Sequence, residues 1–265
     1  MNTTDNNFQN EKELTENQIT TLIDPIKETL LEKKRDLVKS FIKASVHRGH
    51  AKKEWNPKMC CYILLIKNGC HIFNIVKTSK LLKIAGNVLQ KKAEKNGRFL
   101  FVGTNRLSSS LIAKQAKRCN NYYINYRWLG GMLTNWSTIQ KRIERLKKLE
   151  KQESEGLFET FSKKEASTAL QEMVKLRRLF SGIKEMTSLP DAVIFTSQLK
   201  DSLAIQECLK LGIPAISIVD TNCDPDLVPY PIPANDDSIL SINFILNYLV
   251  NRILTGYSAK QKKYL

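Results

Sequence analysis

RFLFVGTNRLSSSLIAKQAKRCNNYYINYRW, residues 98–128, decides the architecture. RFLFVGT (98–104) is a short, continuous apolar run that reads as a strand buried on both faces. Gly103 and the Thr, Asn and Ser residues after it make a strand-to-helix turn, and 106–118 reads as a helix. YYINYRW (122–128) then reads as a second strand, rich in aromatic residues. A strand, a helix and a strand in that order are one unit of an α/β fold.

The same alternation continues on either side. Upstream, YILLI (62–66) and HIFNI (71–75) are extended runs separated by a Lys-Asn-Gly turn at 67–69, and Thr78 opens a helix to about Lys95, ended by Gly97. Downstream come DAVIFTS (191–197), a helix from about Asp201 to Leu211, IPAISIVD (213–220) and a last helix from about Asp236 to Leu254. Buried strands separated by helices predict a mostly parallel, doubly wound sheet with right-handed crossovers.

Between 134 and 187 the period changes. Trp136, Ile139, Ile143, Leu146 and Leu149 recur at three- and four-residue steps; EGLF breaks the stripe; Leu170, Met173, Leu176, Phe180 and Ile183 resume it. Two such stripes predict an inserted, protruding helical hairpin close to a short coiled coil. The expected organisation is therefore an amino-terminal extension over 1–37, with 1–24 disordered and a helix from about Ile26 to Ala44. An α/β domain follows from 38–133 and 188–255, with the hairpin at 134–187 and a basic tail at 256–265.

The net charge is +16, and it is unevenly spread. Residues 38–136 carry nineteen basic side chains and two acidic ones (Glu54 and Glu94), whereas residues 1–37 carry five against eight. So basic a block repels itself unless a polyanion faces it, and phosphates that release counterions are the usual partner. No strong amphipathic helix accompanies the charge, and no apolar run approaches the roughly 20 residues that span a bilayer, so nucleic acid is favoured over membrane. MNTTDNNFQNEKEL at the amino terminus has neither the apolar stretch of a signal peptide nor the Arg-rich look of a transit peptide. The expectation is a protein that works where it is made. Cys60, Cys61, Cys70, Cys119, Cys208 and Cys223 have no regular spacing, which favours reduced thiols.

HRGHAKKEWNPKMCCY (47–62) interleaves cations with an aromatic ring, as RNA contacts require. His47, His50, Cys60, Cys61, Cys70 and His71 are also zinc-type ligands, but their spacings match no standard knuckle, so structural roles are the default. FLFVGTNRLSSS (99–110) places a helix N-terminus after a strand without GxGxxG or GxxxxGK[ST], which favours an inherited turn over a nucleotide pocket. ISIVDTNCDPD (216–226) offers Asp220, Asp224 and Asp226 to a magnesium-dependent phosphohydrolase, but Pro225 and Asn222 stand where calcium-loop and phosphatase chemistry need Gly and Asp. Turn and cap roles are preferred there. No nucleophile elbow is present, and three histidines are few to supply a base.

WLGGMLTN (128–135), within YINYRWLGGMLTNWSTI, resembles the signature of the bacterial-type small-subunit ribosomal protein two family. VHRGHAKKEWNPKM, NGCHIFNIVKT, FLFVGT, GIKEMTSLPDAV and LGIPAISIVDTNCDPDLVPYPIPANDD resemble its other blocks in order, over about 38–255. The resemblance implies an α/β fold without catalysis or cofactor, a projecting coiled coil, and a place in the small subunit. The implied partners are small-subunit ribosomal RNA and neighbouring ribosomal proteins, with no membrane and no small-molecule substrate. Carried over by position, the RNA-facing residues are Arg48, Lys52, Lys53, Trp55, Lys58, Arg106, Arg127, Trp128, Asn135 and Lys141, with no metal ligand. Trp128 is also a candidate for the core. Arg48 stands where the family usually has an aromatic residue, and Asn105 where a lysine is common. LTNWSTI, MTSLPD, AIQEC and IPANDD look most like the chloroplast-encoded branch, so a plastid ribosome of an alga is expected, with a mitochondrial one as the alternative. The acidic extension is expected to meet a neighbouring protein rather than RNA.

Overall fold

A computed structural model describes residues 35–159 and 162–261. The chain divides into two units, 1–43 and 44–265. In the first, residues 35–43 are helical (α1), part of the helix expected over 26–44; the remainder of that helix and the expected disorder of 1–24 lie outside the described residues.

The second unit holds two sheets. Strands β4 (Phe99–Val102), β5 (Tyr122–Ile124), β6 (Ala192–Phe195), β7 (Ala215–Val219) and β8 (Tyr230–Pro233) form a sheet in the order β5-β4-β6-β7-β8, parallel throughout. Every residue of β4, β6 and β7 is buried, which is why their sequences are apolar without alternation. The interior still sorts by parity. Leu100, Val102, Val193 and Phe195 join one cluster with α6 (Ser202–Lys210), α4 (Trp136–Ser154) and α5 (Lys163–Phe180). Phe99 instead meets Tyr257 of α7 (Ile239–Gln261), with ring centroids 6.4 Å apart. Helix α7 packs on α2 (Ile75–Ala93) and α3 (Arg106–Arg118). Covering helices thus lie on both sides of the sheet.

By length and hydropathy α7 would suffice to cross a membrane. In this fold it is a core helix, burying Ile242, Ile245, Leu246, Leu249, Val250 and Ile253. Its polar row explains the rest: Asn243 and Asn247 accept from Gln115, and Asn247 and Asn251 accept from Arg118 of α3.

The smaller sheet has the order β1-β3-β2, antiparallel, from β1 (Arg48–Ala51), β2 (Ile63–Lys67) and β3 (Cys70–Phe73). The expected hairpin is present. Asn68 and Gly69 turn it with φ of 51° and 75°, the positive pair that a two-residue turn between twisted strands needs.

Boundaries moved where side chains capture backbone. Asn74 accepts from the N–H groups of Val76 and Lys77, so α2 begins at Ile75 and the HIFNI run ends as a strand at Phe73. Strand β5 stops at Ile124, short of the expected 128. Strand β1 lies in what reads as a basic loop. Strand β8, YPIP, is hidden in sequence by Pro231 and Pro233, which a sheet tolerates at its edge. Helix α7 continues past Leu254 to Gln261, into the expected tail.

Helix α5 starts on a capping box, Ser162 with Glu165. Helices α4 and α5 bury Ile139, Ile143, Leu146, Leu149, Met173 and Phe180 and are tied by Arg145–Glu172 at 2.8 Å, Arg177–Glu150 at 3.0 Å and Arg177–Glu153 at 3.1 Å.

Candidate nucleic-acid interface

The small sheet lies against the carboxyl end of β7. His50 N–H donates to Thr221 Oγ1 at 3.0 Å, and Asn56 N–H donates to the Thr221 carbonyl at 2.8 Å. Gly49 is needed for this docking, because a Cβ there would come within 2.5 Å of Thr221 Cγ2. The junction carries Arg48, Lys52, Lys53, Trp55 and Lys58 as one group, all exposed. Trp55 leans on His71, with ring centroids 5.3 Å apart, and keeps 40% of its surface. Lys58 differs from its neighbours: its ammonium sits 2.7 Å from Asp224 and 3.0 Å from Asp226, so its charge is already answered within the chain.

Arg106 and Arg127 come from the carboxyl ends of two adjacent strands, β4 and β5, and both are exposed. Asn105 accepts from Leu107 N–H and caps α3. Asn135 and Lys141 are exposed on the first turns of α4, where Asn135 Oδ1 accepts from Thr138 Oγ1 at 2.8 Å.

Trp128 is corrected from a surface residue to a core residue. It is 7% exposed, and its indole N–H donates to Glu207 Oε1 at 2.9 Å. The same carboxylate accepts from Gly131 N–H at 2.8 Å, Leu133 N–H at 2.9 Å, Thr134 N–H at 3.1 Å and Thr134 Oγ1 at 3.3 Å. WLGGMLTN is therefore wrapped around one buried acid of α6. Burial pushes that carboxyl up, but the indole and the three backbone donors outweigh it and hold it below the usual carboxylate range. Glu207 carries no local signal in the sequence, because its partners lie 73 to 79 residues away.

The acids after β7 do not assemble as Asp220, Asp224 and Asp226. Asp224 and Asp226 hold Lys58, and Asp224 also caps the 3-10 turn that follows it. Asp220 is 1% exposed and faces His50 Nδ1 at 3.0 Å, while His50 Nε2 lies 3.3 Å from Asp237. The hydrogen bond to Asp220 is the main reason that the His50 imidazole is pushed up to about 9, with the charges of Asp220, Asp237 and Asp236 adding to it against burial. Asp236 is pushed up to about 6 by burial and then by Asp220. Among the described residues, His50, Asp220 and Asp236 are the group whose ligand atoms all lie within 4.8 Å of one another, so a divalent cation could be held there. His47, Cys60, Cys61, Cys70 and His71 do not join it. All six cysteines are free.

Across this surface the free charge is mainly cationic: apart from exposed Glu54, the acids are engaged within the chain. Arg48, Lys52, Lys53, Arg106 and Arg127 make no ion pair with a carboxylate among the described residues, whereas Asp220, Asp224 and Glu207 all have partners. One pair was invisible in the sequence: the Arg178 guanidinium of α5 lies 4.4 Å from the ring centroid of Tyr126.

Residues 41–256 match the family described as Ribosomal protein S2. The chain is 52% identical over 218 residues to small ribosomal subunit protein uS2c of Phaeodactylum tricornutum, covering 82% of this chain and 96% of that one. It is 49% identical over 216 residues to uS2c of Porphyra purpurea, covering 82% and 90%. It is also 49% identical over 216 residues to uS2 of Nostoc punctiforme, covering 82% of each.

Proposed function

This chain belongs to the ribosomal protein S2 family, and from that premise we propose that it is a structural constituent of the small ribosomal subunit of a plastid. It is held by small-subunit ribosomal RNA and neighbouring ribosomal proteins, and it is not an enzyme. The observation that carries this is the identity of about half the residues along almost the whole length of small-subunit proteins. The plastid assignment rests on relatives named uS2c.

The mechanism is phosphate neutralisation by exposed cations that pair with no carboxylate among the described residues. Arg48, Lys52, Lys53, Arg106, Arg127 and Lys141 supply that charge, with Asn135 as a polar contact and Trp55 as a stacking surface. Lys58 contributes less because Asp224 and Asp226 hold it, and Trp128 positions the loop rather than touching RNA. Residues 134–187 act as a projecting two-helix arm toward RNA or a protein neighbour, inserted between 38–133 and 188–255. The acidic extension 1–37 and the basic tail 256–265 are additions to that core. The apolar stripes of α4 and α5 and the ion pairs between them support the arm.

Sucrose-gradient sedimentation of plastid and mitochondrial extracts tests the reading. Stoichiometric migration with the mature plastid small subunit is expected. Protein found at the top of the gradient, or only on immature particles, would overturn the structural role, and migration with mitochondrial subunits would overturn the location.

A further inference from the structure

Tyr126 and Arg127 form an exposed two-residue step between fixed points. On one side, Ile124 is buried and Asn125 Nδ2 donates to the Ser109 carbonyl of α3 at 3.3 Å. On the other, Trp128 is held by Glu207. The 3-10 turn after α5 (Ser181–Ile183) and the residues that follow close the third side: Tyr122 donates its hydroxyl to the Glu185 carbonyl at 3.2 Å, and Gly182 packs so closely on β5 that a Cβ would lie 2.0 Å from the Tyr123 carbonyl oxygen. The step is anchored on both flanks, and Tyr126 keeps 43% of its surface in solvent.

Resting on the ribosomal RNA reading above, we propose that Tyr126 and Arg178 form a preassembled stacking platform that receives one unpaired base of small-subunit ribosomal RNA. Three features of the local chemistry select this ligand. An exposed aromatic face with a guanidinium over it offers stacking surfaces to a splayed base. Adjacent Arg177 is consumed by Glu150 and Glu153, but among the described residues no carboxylate pairs with Arg178 or with neighbouring Arg127. Arg106 stands one helical turn before Ser109, to which the step is bonded, and is likewise without an acidic partner. Unanswered cations around an open ring call for phosphate and base together. A protein neighbour would have to bring carboxylates to the same place.

The test uses the full chain and deproteinised small-subunit ribosomal RNA. Ultraviolet crosslinking of the wild-type complex, read by mass spectrometry, should yield a nucleotide adduct on Tyr126. Tyr126→Leu should weaken binding about tenfold without changing its salt dependence, while Tyr126→Phe binds as wild type. Arg178→Gln should weaken binding and flatten the salt dependence by about one phosphate contact. Both side chains are exposed, so unchanged melting of the variants separates binding from folding. Wild-type protein that binds RNA without an adduct at Tyr126, with Tyr126→Leu binding within about twofold, would overturn the platform and leave the family function standing. Wild-type protein that fails to bind ribosomal RNA would overturn both.

Discussion

Replacing Glu207 with Gln exchanges a single heavy atom, one carboxylate oxygen for nitrogen, and should still remove a large part of the stability of the α/β unit. The carboxylate uses both oxygens: Oε1 accepts from Trp128 and Gly131, and Oε2 accepts from Leu133 and from the amide and hydroxyl of Thr134. An amide has one oxygen, so in either orientation its –NH2 group faces two N–H donors. Stranding a buried donor costs about 1–3 kcal/mol, and the bonds that remain lose the extra strength of a charged acceptor. Gly131 and Thr134 are open enough for water to take part, which favours the lower end for those donors. The sum is about 3–5 kcal/mol, against a total of roughly 5–15 kcal/mol for an ordinary domain. Urea unfolding at pH 7, followed by tryptophan fluorescence, measures it directly. Thr134→Val is the control, since it removes one hydroxyl donor and should cost under about 1 kcal/mol. The pH dependence supplies a second reading. The Glu207 carboxyl lies below its ordinary 4.5, so its contribution is complete above that value and is lost as pH falls through the lowered one. Glu207→Gln should flatten that acid limb. A variant within about 1 kcal/mol of wild type, with the acid limb intact, would refute the claim that this carboxylate organises WLGGMLTN.

Three further outcomes follow from the same structure. His50 is raised from 6.5 to about 9, so its stabilisation is complete below 6.5 and disappears as pH rises through 9. Thermal melting at pH 6 and pH 9 should show that loss in the wild type, and His50→Gln should abolish it. Gly103→Ala should destabilise by about 1–3 kcal/mol or more, because the new Cβ would lie 1.9 Å from Ile112 Cδ1 and 2.5 Å from Thr196 Oγ1. Chemical denaturation reads that cost. Replacing Lys52 and Lys53 together with Gln should reduce the slope of log affinity against log salt for ribosomal RNA by up to about two. Lys58→Gln should change the slope less, because that ammonium is shared with Asp224 and Asp226.

Much of the fold was legible in consecutive residues. The helix over 106–118 has the expected ends, because Asn105 caps it and an apolar strand precedes it. Asn68-Gly69 turned the hairpin as read. Phe99–Val102, Ala192–Phe195 and Ala215–Val219 lie within the expected runs. The misread elements depend on position in the sheet. YPIP is a strand only because it lies at an edge, where the ladder does not require two of its N–H groups. Of the expected RNA-facing set, nine positions are exposed and Trp128 is buried.

What the sequence determined by itself, then, was the alternation of strand and helix, the concentration of positive charge in 38–136, and the family motifs. Backbone period, turn chemistry and like-charge crowding are properties of residues near one another along the chain. What only the tertiary structure decided was which charges remain available. Glu207 consumes the motif's donors, Asp224 and Asp226 consume Lys58, and Arg178 arrives over Tyr126. Each pairing joins residues far apart in sequence. It exists because the sheet order and the helix packing bring their elements together, and a local pattern carries no record of that order.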